Sequence, residues 1–508
     1  MNTLSQISSH DDPRTTGLRD ICSRWLALML VVLMLLPVQS GMAQQGIQLP
    51  DMGGPREVLS QEETQSFPRE FELFMRAQNA LIEDPIVRNY FTDMGFRLVM
   101  HSDGRDRDFH FHVLRVPGIN AFAAPAGVVA LNAGLILAAK TESEVAGVVA
   151  HEISHVTQDH IFRRTEEAQR VSFPMMLATM GLVLAGGIAG GVDGDAVQGL
   201  IAGGMGLAEQ AQINYTRQNE AEADRIGIQL MARAGYDPNG MVSFFQTLTA
   251  ASRAWGDGPP EYLRTHPLST SRVAEAKQRV ELIQPRRLIE DELFYYVQAR
   301  LRVLMTRHAD TAVEYFQAQL ERGREPESAQ RYGLALSYLL GSQLQQAERE
   351  LRWLLDHDPD AQLFRLLEAE LLLRQNRHEE SLVAYERLFT AYGQSEVVAL
   401  DYAEALLHGN NTEHATQATE ILREQMRLRP NDIKVSELLA HAADTAGDEI
   451  RSLEAVAENY YQRGGLPQAI EQLEGLIRRD DLDYYQRARI SARLSQLRTE
   501  RARMLHSR

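Results

Sequence analysis

At 508 residues the chain is too long for one ordinary hydrophobic core and implies two or three domains. Its 44% apolar and 24% charged content excludes a disordered chain. A formal net charge of -17 argues against a nucleic-acid binder, which needs a basic face.

Arg14, Arg19 and Arg24 precede an apolar run over 25–36 that Pro37 breaks, and Gly41-Met42-Ala43 then offers the small residues a signal peptidase reads. Residues 1–43 therefore read as a secretory signal, with an unusually long leader that leaves an uncleaved anchor as the alternative. The segment carries three Arg and three Asp, so its removal leaves the charge unchanged. It also holds the only cysteine, Cys22. A mature chain without thiols can build a metal site only from His, Asp and Glu, and it suits an oxidising bacterial periplasm.

Residues 44–55 are rich in Gly, Pro and Gln and read as a mobile lead-in, followed by helical patterning from Arg56 to Met100. Phe109 to Val116 alternates as a strand, with His110 and His112 on one face as solvent-side or pocket-lining residues. Pro125-Ala126-Gly127 signals a turn, and 128–131 a short strand. Thr141 with Glu144 forms a capping box, and Val145, Val148, Val149, Ile153 and Val156 give the new helix its apolar stripe. Residues 171–192 carry no charge, but with the Gly-rich stretch 196–207 they read as a flexible hairpin near the site rather than a membrane span.

From about residue 288 the pattern is helical throughout. Ala312, Ala347, Ser381 and Ala418 recur 35, 34 and 37 residues apart, and Phe316, Leu351, Tyr385 and Leu422 each follow by four. Pro359 and Pro430 fall twelve after their small residue, and Tyr338 lies nine before Ala347. This resembles the tetratricopeptide repeat, a helix pair of about 34 residues whose small residues allow close approach. Tyr460, Ala469 and Leu473 repeat the pattern in a broken register.

The chemistry concentrates in His151-Glu152-Ile153-Ser154-His155. Two imidazoles one helical turn apart can reach one zinc ion, with the intervening glutamate beside the open position. A third ligand must come from elsewhere. Glu220 and Asp224 share a helix face, with Glu222 about half a turn away. One carboxylate can bind the metal while the other holds a ligand histidine by its second nitrogen. We assign Glu220 as ligand and Asp224 as the orienting group. His266, before Pro267 in a loop, is placed to reach the metal or the transition state.

His151-Glu152-x-x-His155, Glu220-x-x-x-Asp224, Asn120-Ala121-Phe122-Ala123 and His266-Pro267 together resemble the M48 zinc metallopeptidases. The resemblance implies one zinc on His151, His155 and Glu220, with Glu152 as general base. It gives His266 either an oxyanion-stabilising role or an inhibitory fourth position on the metal. The expected fold is α+β and mostly helical, with a gluzincin-type peptidase domain over 44–287 and an all-α tetratricopeptide-repeat solenoid over 288–508. A signal, a peptidase and repeats in this order resemble the family's periplasmic branch. That branch degrades unfolded or misassembled outer-membrane proteins, assists barrel assembly, and docks its repeats on the assembly machinery. Substrate is expected to add as a strand near Asn120 to Ala124. Membrane contact is expected to be peripheral at most. The competing readings are a chaperone or scaffold that binds clients through its repeats, and an integral membrane protease using 171–192.

Overall fold

The structure is a computed structural model and describes residues 61–160, 209–254, 260–283, 288, 291–324 and 326–506. The expected signal segment, the expected lead-in and the expected hairpin of 171–207 lie outside the described residues. No helix among the described residues is long and apolar enough to cross a membrane.

Two helices open the described chain, α1 (Gln61–Ala77) and α2 (Pro85–Val99). The continuous helical patterning breaks between them, where Asp84 caps α2 by accepting from Val87 N. Three short strands follow, β1 (His110–Leu114), β2 (Ala121–Ala124) and β3 (Val128–Asn132). They form a sheet in the order β1-β3-β2, parallel between β1 and β3 and antiparallel between β2 and β3. Period-two alternation splits β3 between two layers. Val129 and Leu131 join the main core with Phe91, Met94 and Phe111, while Val128 and Ala130 pack with Phe67, Phe71 and Met75 of α1. Gly127 has φ +73 in the β2–β3 turn, and a Cβ there would meet Asp108 O at 1.9 Å, so only glycine fits.

Next come α3 (Ala133–Ala138), α4 (Glu142–Thr157), α5 (Glu209–Ala234), α6 (Asn239–Ala254), α7 (Glu261–Thr265) and α8 (Thr270–Glu281). Thr141 Oγ1 accepts from Glu144 N, and the Glu144 carboxylate returns to Lys140 N at 2.9 Å, one residue earlier than an ideal box. Gly227 of α5 lets that helix press on α4, since a Cβ there would lie 3.3 Å from Ala150 C and His151 N. The helix that carries the histidines and the helix that carries the carboxylates therefore meet backbone to backbone.

The remaining helices are α9 (Leu293–Met305), α10 (Ala309–Glu321), α11 (Glu327–Leu340), α12 (Leu344–His357), α13 (Gln362–Arg374), α14 (His378–Tyr392), α15 (Glu396–Leu407), α16 (Thr412–Leu428), α17 (Ile433–Thr445), α18 (Glu449–Gln462), α19 (Leu466–Ile477) and α20 (Tyr484–His506). Ala312, Ala347, Ser381, Ala418 and Ala469 are all buried, as are the large residues four positions on. Ser381 keeps its hydroxyl satisfied by donating to Ala369 O at 2.8 Å on the preceding helix. The broken register has a simple cause. Buried Ser452 on α18 stands 34 residues after Ala418, so α17 and α18 continue the regular pairing and Ala469 belongs to the next helix. Tyr460 departs from the pattern, since its ring is 42% exposed.

The two halves share α9. Its Phe294, Val297 and Leu301 belong to the main core, while Ala299 and Val303 belong to the first repeat cluster. Arg300 on the same helix forks onto Asp84 at 2.7–2.9 Å. Further along, Arg88 of α2 pairs with Glu396 and Asp432, and Arg69 of α1 pairs with Glu500 at 2.7 Å over the Tyr461 ring. The repeats thus curl back onto the first two helices.

Candidate metal centre

The apolar stripe of α4 buries nearly the whole helix, and this buries His151, Glu152 and His155 with it. Four donor groups converge there: His151, His155, Glu220 and His266, with ligand atoms all within 4.8 Å of one another. His155 Nε2 lies 3.0 Å from His151 Nε2 and 3.4 Å from Glu220 Oε1. His151 Nε2 lies 3.4 Å from Glu220 Oε2 and 3.3 Å from His266 Nδ1. His266 Nδ1 stands 3.0 Å from Glu220 Oε1. Donors about 2.0–2.1 Å from a common tetrahedral centre lie about 3.4 Å apart, so this donor set fits one small cation.

The charges agree with that fit. Glu152, Glu220 and Asp224 place three carboxylates in the buried site, and Arg272 is the permanent cation among the described residues that faces them. A formal charge of minus two remains to be met by imidazole protons or by a divalent ion. Burial disfavours charge on His151, but hydrogen bonding to Asp224 and Glu220 prevails and pushes its pKa up to about 10. Burial pushes His155 down to about 3, against its contact with Glu220, so this ring is a neutral donor at ordinary pH. Burial would raise Glu220 and Asp224, but both are held below the usual carboxylate range. The opposing groups are His266, His151 and His155 for Glu220, and His151 and Arg272 for Asp224.

The structure brings together all six residues singled out in the sequence. Asp224 Oδ1 meets His151 Nδ1 at 3.0 Å, on the ring edge away from the cluster. Glu152 Oε1 is buried without a hydrogen bond, 3.5 Å from His266 Nε2. The His266 ring stacks on buried Tyr262 with centroids 4.7 Å apart, and Tyr262 N donates to Ile119 O beside the Asn120 strand entry. β2 pairs on one side only among the described residues, which leaves an edge for an added strand. A cavity of about 430 Å³ opens beside His155, bordered by Pro68, Ala124, Gly127 and Val156. His110 lines this cavity, whereas half-buried His112 packs against Phe71, and desolvation pushes its pKa down to about 3.

Sequence reasoning missed Arg272, Tyr262 and His160. An arginine three residues past the Ser269 cap reads as a surface charge. The signal that could have found it was the unbalanced trio of carboxylates.

A buried histidine pair on a helix over an edge strand, completed by a glutamate from a second helix, defines a metallopeptidase. Residues 87–280 match Peptidase family M48. The chain is 32% identical over 490 residues to the β-barrel assembly-enhancing protease of Escherichia coli (strain K12), covering 94% of this chain and 97% of that protein. The protein of the same name from Yersinia pestis is 32% identical over 475 residues, covering 91% and 95%. The mitochondrial metalloendopeptidase OMA1 of Schizosaccharomyces pombe is 29% identical over 195 residues, covering 38% and 53%. The chain belongs to the β-barrel assembly-enhancing protease family of M48 metallopeptidases.

Proposed function

We propose that the chain is a periplasmic zinc endopeptidase that degrades misassembled outer-membrane proteins and assists the assembly of others. In this reading its repeats dock on the barrel-assembly machinery. The single observation that carries the hydrolase reading is the buried convergence of His151, His155 and Glu220 beside Glu152, whose Oε1 accepts no hydrogen bond. The names of the relatives support the substrate class, and the signal-like segment of 1–43 supports the compartment. The acidic charge gives no support for nucleic acid or for more than peripheral membrane contact.

His151, His155 and Glu220 would hold the ion, with His266 as a fourth donor. Bound zinc supplies Lewis acidity, which polarises a carbonyl and activates water at neutral pH. Asp224 holds His151 in the tautomer that turns Nε2 toward the cluster. Glu152 takes a proton from the attacking water and returns it to the leaving amine. The free edge of β2 aligns an extended substrate by backbone pairing, which tolerates many sequences and suits quality control. His266 Nδ1 faces the donor group, which supports a latent fourth position over an oxyanion role.

Incubation of the mature chain with an unfolded barrel protein tests this reading. Wild type cleaves and Glu152→Gln does not, while both bind one zinc. Equal cleavage by the two would overturn the assignment of Glu152, and no cleavage by either would favour a scaffold.

A further inference from the structure

His160 takes no part in the donor group, yet it is buried beside it. Its position follows from how α4 ends. Asp159 adopts φ 54, a left-handed conformation that is uncommon outside glycine, and so reverses the chain just past the helix. Arg107 holds that turn, reaching Asp159 Oδ1 at 2.6 Å and Oδ2 at 3.1 Å and donating to Val156 O at 2.9 Å. The reversal places His160 Nδ1 3.0 Å from His155 Nδ1. On the far side of the ring, His160 Nε2 stands 3.3 Å from Glu222 Oε2 on α5, and Arg225 stands 3.3 Å from Glu222 Oε1.

Only one proton order satisfies both contacts while His155 Nε2 faces the cluster. His155 keeps its hydrogen on Nδ1 and donates it to His160 Nδ1. His160 then carries its own hydrogen on Nε2 and donates to the Glu222 carboxylate.

We infer that His160 and Glu222 are positioning residues that lock the tautomer and ring direction of His155, as Asp224 does directly for His151. This deepens the metal assignment and rests on it. Glu222 lies about 200° round α5 from Glu220, so one helix supplies the metal carboxylate from one side and the anchor of this relay from another. The relay also ties the end of α4 to α5 next to the close approach at Gly227.

Zinc affinity of the full chain, measured by chelator competition, separates the possibilities. His160→Ala removes the acceptor and weakens binding by about 10–100-fold. His160→Asn offers Oδ1 where Nδ1 stood and recovers most of the loss, because it keeps the bond to His155 and gives up only Glu222. Glu222→Ala, at a half-exposed position that tolerates the change, removes the acceptor for His160 Nε2 and matches His160→Asn with a loss below about tenfold. A His160→Ala chain that binds zinc within twofold of wild type overturns the relay, as does an Asn variant no tighter than the Ala variant. If His160→Ala fails to fold, wild-type affinity in Glu222→Ala overturns the inference instead. A wild type that binds no zinc would contradict the metal assignment itself.

Discussion

Arg272 clasps Asp224 in a buried fork, with Nε 2.7 Å from Oδ2 and Nη2 2.8 Å from Oδ1. The same guanidinium lies 2.9 Å from Glu220 Oε2. One cation therefore steadies both the carboxylate placed to orient His151 and the carboxylate placed to bind metal. Arg272→Ala leaves two buried carboxylates without it, and removing one partner of such a pair costs about 3–5 kcal/mol. The variant melts well below wild type. Arg272→Lys recovers only part of the loss, because a point charge cannot form the fork. Melting curves of the three proteins check this, and an unchanged alanine variant would show that the fork holds nothing.

The contact at Gly227 links packing to chemistry. A side chain there presses on the backbone of Ala150 and His151. Gly227→Val forces α5 away from α4, an overpacking that costs about 1–3 kcal/mol, and moves Glu220 relative to the histidines. Both melting temperature and zinc affinity fall, and Gly227→Ala falls less. Loss of stability with full zinc affinity would show that the spacing of these helices does not set the donor geometry.

Asp401 on α15 gives the fold a pH dependence that has nothing to do with the metal. Burial pushes its carboxyl up to about 7; Arg300 opposes this, while Glu370, Glu404 and Asp84 add to it. In an unfolded chain an aspartate titrates near about 3.9. Between these values the folded chain binds the extra proton. The stability Asp401 contributes is therefore complete below pH about 4 and is lost as pH rises through about 7. Asp401→Asn removes this slope, so its advantage over wild type in melting temperature is larger at pH 8 than at pH 5. Parallel curves for the two proteins would contradict the raised carboxyl.

His266 gives the sign of a regulatory effect. If its Nδ1 holds the fourth position, His266→Ala opens the site and raises the initial rate of cleavage of an unfolded protein. Disappearance of activity would assign the ring to the oxyanion instead.

Much of this was legible in the residues, for local reasons. The i, i+4 spacing of His151 and His155 and of Glu220 and Asp224 fixes which side chains share a helix face, and the Ala and Ser spacings fix the repeat pairs. What could not be read is non-local. Ser452 hides a regular repeat because the smaller Val456 follows it by four, and Gly464 stands twelve on where Pro359 and Pro430 mark earlier units. Arg272 looks like solvent-facing charge until the fold turns α8 toward α5. His160 depends on a left-handed turn at Asp159 that no helix periodicity announces. The return of the repeats onto α1 and α2 rests on single ion pairs such as Arg88 with Asp432, whose partners lie hundreds of residues apart.

Diffraction from crystals of the protein at energies just above and below the zinc edge tests the central claim most directly. The account predicts one anomalous peak, present only above the edge, within bonding distance of His151 Nε2, His155 Nε2 and a Glu220 oxygen. The absence of a peak there, or a peak that excludes Glu220, would contradict it.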